Sequence, residues 1–378
     1  MNYFRKYALF VFFFLAILVQ IRAPFVPFGV VKNLFYGFFF FSAFFVFLQL
    51  ITNPKIFLHP AFRLLALIWL TYLAYMILFD HTYNGLAYVI LKGVFFSTIA
   101  ISIYYYYDYY LEKFPKFIVL IALISLVIGI FVHHDFGGRY GGILGNPNTV
   151  GYLSALALGI MILSEDFSIK KLLLMFFLMI MVFISGSRGA LLGVGLALIL
   201  RNFSLKNILL ISFLAIFALI INVIAAKYGF MTGLDRVIET GGGLTSREMT
   251  NLYGYKTLML SPFTGFGLDK YAFISAKVIP VQLKYILVPN PHNSFMGLFI
   301  QLGIPLASWV MLLLTYYLLR ILFSKPYNKI VLFMVLYTFI AGMFESILFG
   351  ISGFEGFVFW ISISLYMMYI YKQKTVST

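Results

Sequence analysis

The chain has 378 residues, of which 63% are hydrophobic and only 10% charged, against about a quarter charged in an ordinary soluble domain. That excludes a soluble globular protein and leaves no room for a separate soluble domain beside the apolar segments. The lack of cysteine excludes disulfide frameworks, thiol nucleophiles and thiolate metal or cluster sites; the formal charge of +15, a nucleic-acid signal in a soluble protein, is here first a topology signal.

Crossing about 30 Å of hydrocarbon takes about 20 apolar residues in a helix. In the first half of the chain, apolar runs cover Tyr7–Ile21, Val30–Ile51, Phe62–Phe79, Leu86–Tyr107, Phe117–Val132 and Thr149–Leu163. In the second half they cover Leu172–Ile184, Gly189–Leu200, Ile208–Ile224, Ser294–Leu322, Ile330–Phe349 and Phe357–Tyr371. They predict an all-α polytopic membrane protein of about 12 transmembrane helices. Residues 1–378 then form a single integral membrane domain, with one long extracytoplasmic loop over 225–293. The first run follows Arg5 and Lys6 as a signal peptide would, but no small-residue cleavage site precedes Arg22-Ala23-Pro24, so it is expected to be a retained helix.

Charge sets the orientation. With the N-terminus inside, alternate loops carry Arg5, Lys6, Lys55, Arg63, Lys113, Lys116, Lys170, Lys171, Arg201, Lys206, Arg320, Lys325, Lys329, Lys372 and Lys374, which is 15 of the 27 basic residues. The short loops on the other side hold only Arg22, Lys32, Arg139 and Arg188, while Lys92 lies inside a span. Both termini are therefore expected on the cytoplasmic side, and the 225–293 loop outside. Leu172–Leu200 could be one helix interrupted at Ser185-Gly186-Ser187-Arg188-Gly189. Basic pairs at both of its ends favour a hairpin instead, with arms of about 20 Å that stop short of a full crossing.

Four segments carry candidate chemistry. Arg188, at the tip of that hairpin, is a costly charge near the hydrocarbon and a candidate anion ligand, although an arginine snorkelling to headgroups would look the same. Arg139 lies in Gly137-Gly138-Arg139-Tyr140-Gly141-Gly142, followed by Gly145-Asn146-Pro147-Asn148-Thr149; this suits a polar ligand at a helix N-terminus, or an ordinary capped turn. Thr245-Ser246-Arg247-Glu248 opens a helical stretch to Leu260, with Ser261-Pro262-Phe263-Thr264-Gly265-Phe266-Gly267 after it. Arg247 in a first helical turn opposes the macrodipole, which a bound phosphate would explain, as would an ion pair with Asp235, Glu239 or Glu248.

The fourth segment is Pro289-Asn290-Pro291-His292-Asn293-Ser294. Asn293 is placed to cap the following helix, and His292 is a candidate general base, since a free imidazole titrates near neutrality, or an inert surface histidine. His133, His134 and Asp135 point in different directions from consecutive positions and make a poor metal set. Glu345 and Glu355 flank the last outer turn, where they could orient a sugar or pair with loop cations.

Taken in order, GNPNTVGYL (Gly145–Leu153), SGSRGALLG (Ser185–Gly193), TSR with Tyr255 and SPFTGFG (Ser261–Gly267), and HNSFMGLFIQLGIP (His292–Pro305) resemble the O-antigen ligase and polymerase superfamily of bacterial membrane glycan enzymes. The resemblance implies a GT-C-like membrane glycosyltransferase that takes glycan from undecaprenyl diphosphate at the outer face of the inner membrane, without cofactor or metal. It implies pyrophosphate-binding roles for Arg188 and Arg247, less directly for Arg139, and a catalytic-base role for His292. The implied partners are the lipid-linked glycan donor, an acceptor glycan on a lipid-linked repeat or on lipid A core, membrane lipids and a chain-length regulator, with no nucleic acid.

A leaving lipid diphosphate needs cationic donors where charge builds, and the acceptor hydroxyl needs a base. Arginine meets the first need bidentately. A lone base without a paired carboxylate favours one inverting displacement over a two-step covalent route. The single outer loop and the lack of a C-terminal extracytoplasmic domain favour a polymerase over an O-antigen ligase or a protein O-oligosaccharyltransferase. A lipid-linked sugar flippase would use similar arginines but should show symmetric halves with broken helices, and no such repeat is visible.

Overall fold

The structure, a computed structural model, describes residues 1–23, 26–132, 139–165, 168–201, 246–280, 290–324 and 328–377. The predicted span Ile208–Ile224, the His133-His134-Asp135 run, Asp235, Glu239, Thr245 and Pro289 lie outside the described residues.

In hydrocarbon every backbone N–H and C=O must find its partner internally, and a helix does this within a single segment. The described residues are accordingly helical and include no strand. The helices are α1 (Asn2–Gln20), α2 (Phe28–Thr52), α3 (Arg63–Leu78), α4 (Tyr83–Val132), α5 (Pro147–Leu163), α6 (Ile169–Ile184), α7 (Arg188–Leu200), α8 (Ser246–Leu260), α9 (Ser294–Leu322), α10 (Lys329–Ala341) and α11 (Phe354–Ser377). Among the described residues six helical stretches are long and apolar enough to cross a membrane: α1, α2, Pro60–Leu78, α4, α9 and Phe354–Gln373. Shorter apolar helices cover α5, α7 and α10.

The runs expected as separate spans at Leu86–Tyr107 and Phe117–Val132 are the two limbs of α4, which meet at Tyr106 (φ −130°, ψ 36°) with no loop between them. The limbs run in opposite senses along α1, as two spans require. Tyr105 faces Arg5 and Phe95 faces Phe12, whereas Tyr110 stacks on Phe10 and Phe117 lies beside both Phe10 and Phe13. The chain thus turns back without a loop. The run Ser294–Leu322, expected as one regular helix, is broken at Gly303 (φ 73°, ψ 170°), two residues before Pro305.

The break in α9 admits another segment. Phe266 N–H donates to the Ile300 carbonyl (2.9 Å), Gly267 N–H to that of Gln301 (3.2 Å), and Ile304 N–H to that of Pro262 (2.6 Å). A β-carbon on Gly303 would collide with the Phe263 carbonyl oxygen, and one on Gly265 with the Gln301 carbonyl oxygen. Both glycines have positive φ. The 262–267 segment and the break therefore clasp each other backbone to backbone, and only glycine permits that approach. Tyr75 and Asp80 hold the clasp from α3: the Tyr75 hydroxyl donates to the Thr264 carbonyl (2.6 Å), and the Asp80 carboxylate accepts from Leu268 N–H (2.7 Å).

The hairpin expected around Arg188 is present. Lys171, at the start of α6, and Arg201, just past α7, both donate to carbonyls at the C-terminal end of α5, those of Ser164 and Ile162. Cations are favoured at that negative end of the helix dipole. The tip packs at the other end of α5, against Gly151, where a β-carbon would meet the Ser185 and Ser187 side chains. Burial ranks the helices: 89% of the apolar window of α11 is buried, against 28% for α2. Residues 149–163 of α5 are buried throughout. The two central helices thus have their N-termini at the end of the bundle where the tip lies.

Candidate active site

A cavity of about 1060 Å³ opens at that end of the bundle. It is lined by the end of α1 (Gln20, Arg22), the start of α5 (Asn146, Asn148, Thr149, Tyr152), the hairpin tip (Ser187, Arg188, Gly189), Glu248 and Asn251 of α8, Tyr271, Asn290, His292, and the segment 343–355 with Glu345, Ser346 and Glu355. The N-termini of α5, α7 and α11 contribute to its wall, so the positive ends of three helix dipoles converge on it. The opposite ends of these helices carry the basic residues: Lys171 and Arg201 for α5, and Lys372, paired with Asp108, for α11.

His292 is held by its own neighbours. It is the one non-glycine residue with positive φ (47°) among the described residues, and its N–H donates to Asn290 Oδ1 (2.8 Å), closing an Asx turn. One residue on, the expected cap is present: Asn293 Oδ1 accepts from the N–H groups of Phe295 and Met296 (2.9 and 3.1 Å) and starts α9. Ser294 ties this corner to the turn after α10, its hydroxyl donating to the Glu345 carbonyl (2.7 Å) and accepting from Ile347 N–H (2.9 Å). Ser346 adds a hydrogen bond to Asn290 Oδ1 (2.8 Å).

That turn is anchored from below by polar groups inside the bundle. The Tyr88 hydroxyl donates to the Phe349 carbonyl (2.7 Å), Lys92 Nζ to that of Gly350 (2.8 Å) and Trp360 Nε1 to that of Leu348 (2.9 Å). The Tyr271 hydroxyl accepts from Phe349 N–H (3.3 Å); burial pushes this phenol up, so it serves as a neutral hydroxyl. Lys92, marked by sequence as a charge inside a span, is thus spent on a carbonyl that would otherwise be buried without a donor.

The imidazole then meets a carboxylate: Glu345 Oε2 lies 3.2 Å from His292 Nδ1, both side chains being partly buried. Glu345 Oε1 accepts from Asn148 Nδ2 (2.6 Å), and Asn148 Oδ1 accepts from Arg139 Nη2. Arg139 Nε donates to the Ser185 carbonyl (3.1 Å).

The four residues singled out from sequence are therefore placed differently. Arg188 is exposed at the first position of α7 and lines the cavity with His292. Its guanidinium has no hydrogen bond or ion pair among the described residues. Arg247 lies at the second residue of α8, where the capped helix was expected, while Glu248 and Asn251 of that helix line the cavity. The Arg247 side chain lies outside the description. Arg139 is not among the lining residues; it sits behind the wall, bonded to Asn148 and Ser185.

Sequence reasoning passed over Arg22, which also lines the cavity, exposed and outside any ion pair among the described residues. It named Asn148 only within its helix-start segment, and Glu345 only as a group that could orient a sugar or pair with loop cations. A signal for Glu345 was present: a carboxylate inside the apolar run Ile330–Phe349 carries a desolvation cost that calls for a partner. Glu355, buried at the start of α11, accepts from Gln20 Nε2 (3.1 Å), and both line the cavity beside Tyr152 and Tyr337, whose rings stack 5.0 Å apart. Among the described residues no three His, Asp or Glu side chains come together to hold a metal ion.

A pocket with a free guanidinium, converging helix N-termini and a carboxylate-paired imidazole fits an anionic ligand together with a proton transfer. Residues 173–311 match the O-antigen ligase family. The members of that family are lipid-linked glycan transferases, ligases and polymerases. The matched segment runs from α6 to the middle of α9 and contains Arg188, Arg247, the clasp and His292. Arg22, Arg139, Asn148, Glu345 and Glu355 lie outside it. No curated protein matches the chain.

Proposed function

We propose that the protein is a surface-polysaccharide polymerase, a glycosyltransferase that moves glycan from undecaprenyl diphosphate to a hydroxyl of another lipid-linked repeat unit. In this reading the chain crosses the inner membrane of a bacterium about 12 times as a GT-C-like bundle. The cavity faces the extracytoplasmic side, since the basic residues gather at the opposite end of the helices that line it. The observation that carries the reading is the pairing, in one cavity, of an uncommitted Arg188 with an imidazole whose Nδ1 is engaged by a carboxylate. A carboxylate accepts only, so the Nδ1 proton is directed to Glu345 and Nε2 is left with its lone pair.

The step is a direct displacement. The acceptor oxygen attacks the anomeric carbon, the bond from that carbon to the phosphate oxygen breaks, and undecaprenyl diphosphate leaves with the electron pair. The hydroxyl proton passes to His292 Nε2. Arg188 and Arg247 hold the pyrophosphate and stabilise the charge that builds on the departing oxygen. Three convergent helix N-termini add partial positive charge at no reorganisation cost. The aromatic wall formed by Tyr152, Tyr271 and Tyr337 suits the apolar faces of sugar rings.

The test is reconstitution of the purified protein with one defined lipid-diphosphate oligosaccharide and a panel of acceptors. A polymerase releases undecaprenyl diphosphate and lengthens lipid-linked glycan. Transfer only to lipid A core would make it a ligase, and donor left intact but moved across the bilayer a transporter. His292→Ala should abolish transfer while retaining donor binding, and transfer at the wild-type rate would remove the base role.

A further inference from the structure

We infer that Arg139, Asn148 and Glu345 form a positioning chain that sets the tautomer and the orientation of His292, and that Arg139 acts through this chain. The inference rests on the reading of His292 as the base and adds residues that lie outside the segment matched to the family.

The argument is one of donor and acceptor bookkeeping. A guanidinium can only donate. Because Arg139 Nη2 donates to Asn148, the amide must present Oδ1 to the arginine and therefore Nδ2 to the other side. There Nδ2 meets Glu345 Oε1 at 2.6 Å. An ionised carboxylate can only accept, so the orientation is matched, and it would be wrong with the amide reversed. With Oε1 satisfied, Oε2 is aimed at His292 Nδ1, 3.2 Å away, and accepts its proton. Each member thus has its polarity dictated by the one before, and the sequence of constraints ends with the lone pair of Nε2 free in the cavity.

The backbone supports the same geometry. Arg139 is held by Ser185 at the hairpin tip, Asn148 lies in the first turn of α5, Glu345 follows α10, and His292 precedes α9 in its Asx turn. Four separate elements must pack correctly before the chain closes, which pre-organises the base ahead of substrate. The remaining charged groups around the cavity are Arg22 at the end of α1, Arg188 on α7, Glu248 on α8 and Glu355 on α11. Among the described residues Glu345 is the charged group hydrogen-bonded to the imidazole, and its carboxylate stabilises the imidazolium that forms as the acceptor proton arrives.

The experiment measures kcat and KM for glycan transfer in proteoliposomes, with binding of a donor analogue recorded for every variant. Glu345→Gln should lower kcat by about 100-fold or more with donor binding retained, because an amide in place of the carboxylate no longer fixes the Nδ1 proton. Asn148→Asp should cost more than Asn148→Ala, since it sets a second carboxylate against Glu345. Arg139→Lys should lower kcat with little change in donor affinity, because a lysine cannot hold both the Ser185 carbonyl and Asn148 in the same fork.

If His292→Ala retains transfer, the base reading fails and this inference with it. If His292→Ala is inactive while Glu345→Gln keeps the wild-type kcat, the chain is refuted and the base reading stands. Loss of donor affinity in Arg139→Lys, with an unchanged kcat, would likewise overturn the inference and make Arg139 a phosphate ligand. A variant that no longer binds the donor analogue is replaced by Glu345→Asp, which keeps the acceptor and should lower kcat by no more than about 10-fold; a loss of about 100-fold there, with donor binding retained, refutes the chain.

Discussion

Two regions of α9 lie within a dozen residues of each other and use opposite means. At its start, the corner around His292 satisfies the backbone with side chains, Asn290, Asn293 and Ser294, and sends the imidazole into the cavity. At the Gly303 break, the clasp with 262–267 satisfies the backbone with backbone and tolerates no side chain where the two segments cross. Both belong to the stretch HNSFMGLFIQLGIP and both fall inside the family match. In the proposed reading a motif residue near the cavity is therefore not by that fact part of the chemistry: the first residues of this motif would carry it, and the last hold the fold around them.

The contrast can be broken by substitution. His292→Asn should show the largest effect, a loss of transfer of about 10³-fold, with thermal unfolding in detergent unchanged, because asparagine accepts the positive φ that alanine resists. A large drop in unfolding temperature would merge the corner with the clasp. Gly303→Val should do the reverse. It forces a branched side chain into the Phe263 carbonyl at a positive φ and should cost about 3 kcal/mol of stability, read as a lower unfolding temperature, while the protein that remains folded binds donor analogue normally.

Arg188→Ala should weaken donor-analogue binding by about 10- to 100-fold, the worth of a charge-assisted hydrogen bond or two, with stability held, since the guanidinium makes no bond among the described residues. Titration by fluorescence or calorimetry checks it; an unchanged affinity would leave Arg188 as a headgroup contact. The smallest effect sharpens the boundary between the two regions. Asn293→Ala removes the cap of α9 and should cost about 1 kcal/mol, together with a modest loss of transfer, because the same turn holds His292. A loss of transfer as large as that of His292→Asn would mean that the cap itself sets the imidazole.

Much of this architecture was legible beforehand. Uninterrupted apolar runs can only become helices in lipid, so most element positions followed from hydropathy. The hairpin at 185–188 followed from charge alone: Lys171 and Arg201 each end on the C-terminal carbonyls of α5, as two basic pairs on one side require. The caps at Asn146 and Asn293 were legible because a cap is a contact between neighbours in sequence. The two limbs of α4 were legible as separate spans, but that they turn back at Tyr106 with no loop beside it was not. Nor was the Gly303 break, where the surrounding run stays apolar and the partner segment lies some 40 residues away.

The candidate site divides along the same line. Sequence alone determined that this is a helical membrane protein, which ends of its helices are basic, and that His292 and Arg188 fall at the start of a helix on the same side, because hydropathy, charge and capping act over one turn or one span. Only the tertiary structure decided that Glu345 meets His292 from 53 positions away, that Asn148 reaches Glu345 across 197, and that Arg22 shares the cavity while Arg139 stands behind its wall. Those pairings depend on how separate helices pack end to end. A polar side chain in a connecting turn has no periodicity to announce its partner, and its hydrogen bond exists only once the helices on both sides have taken their places.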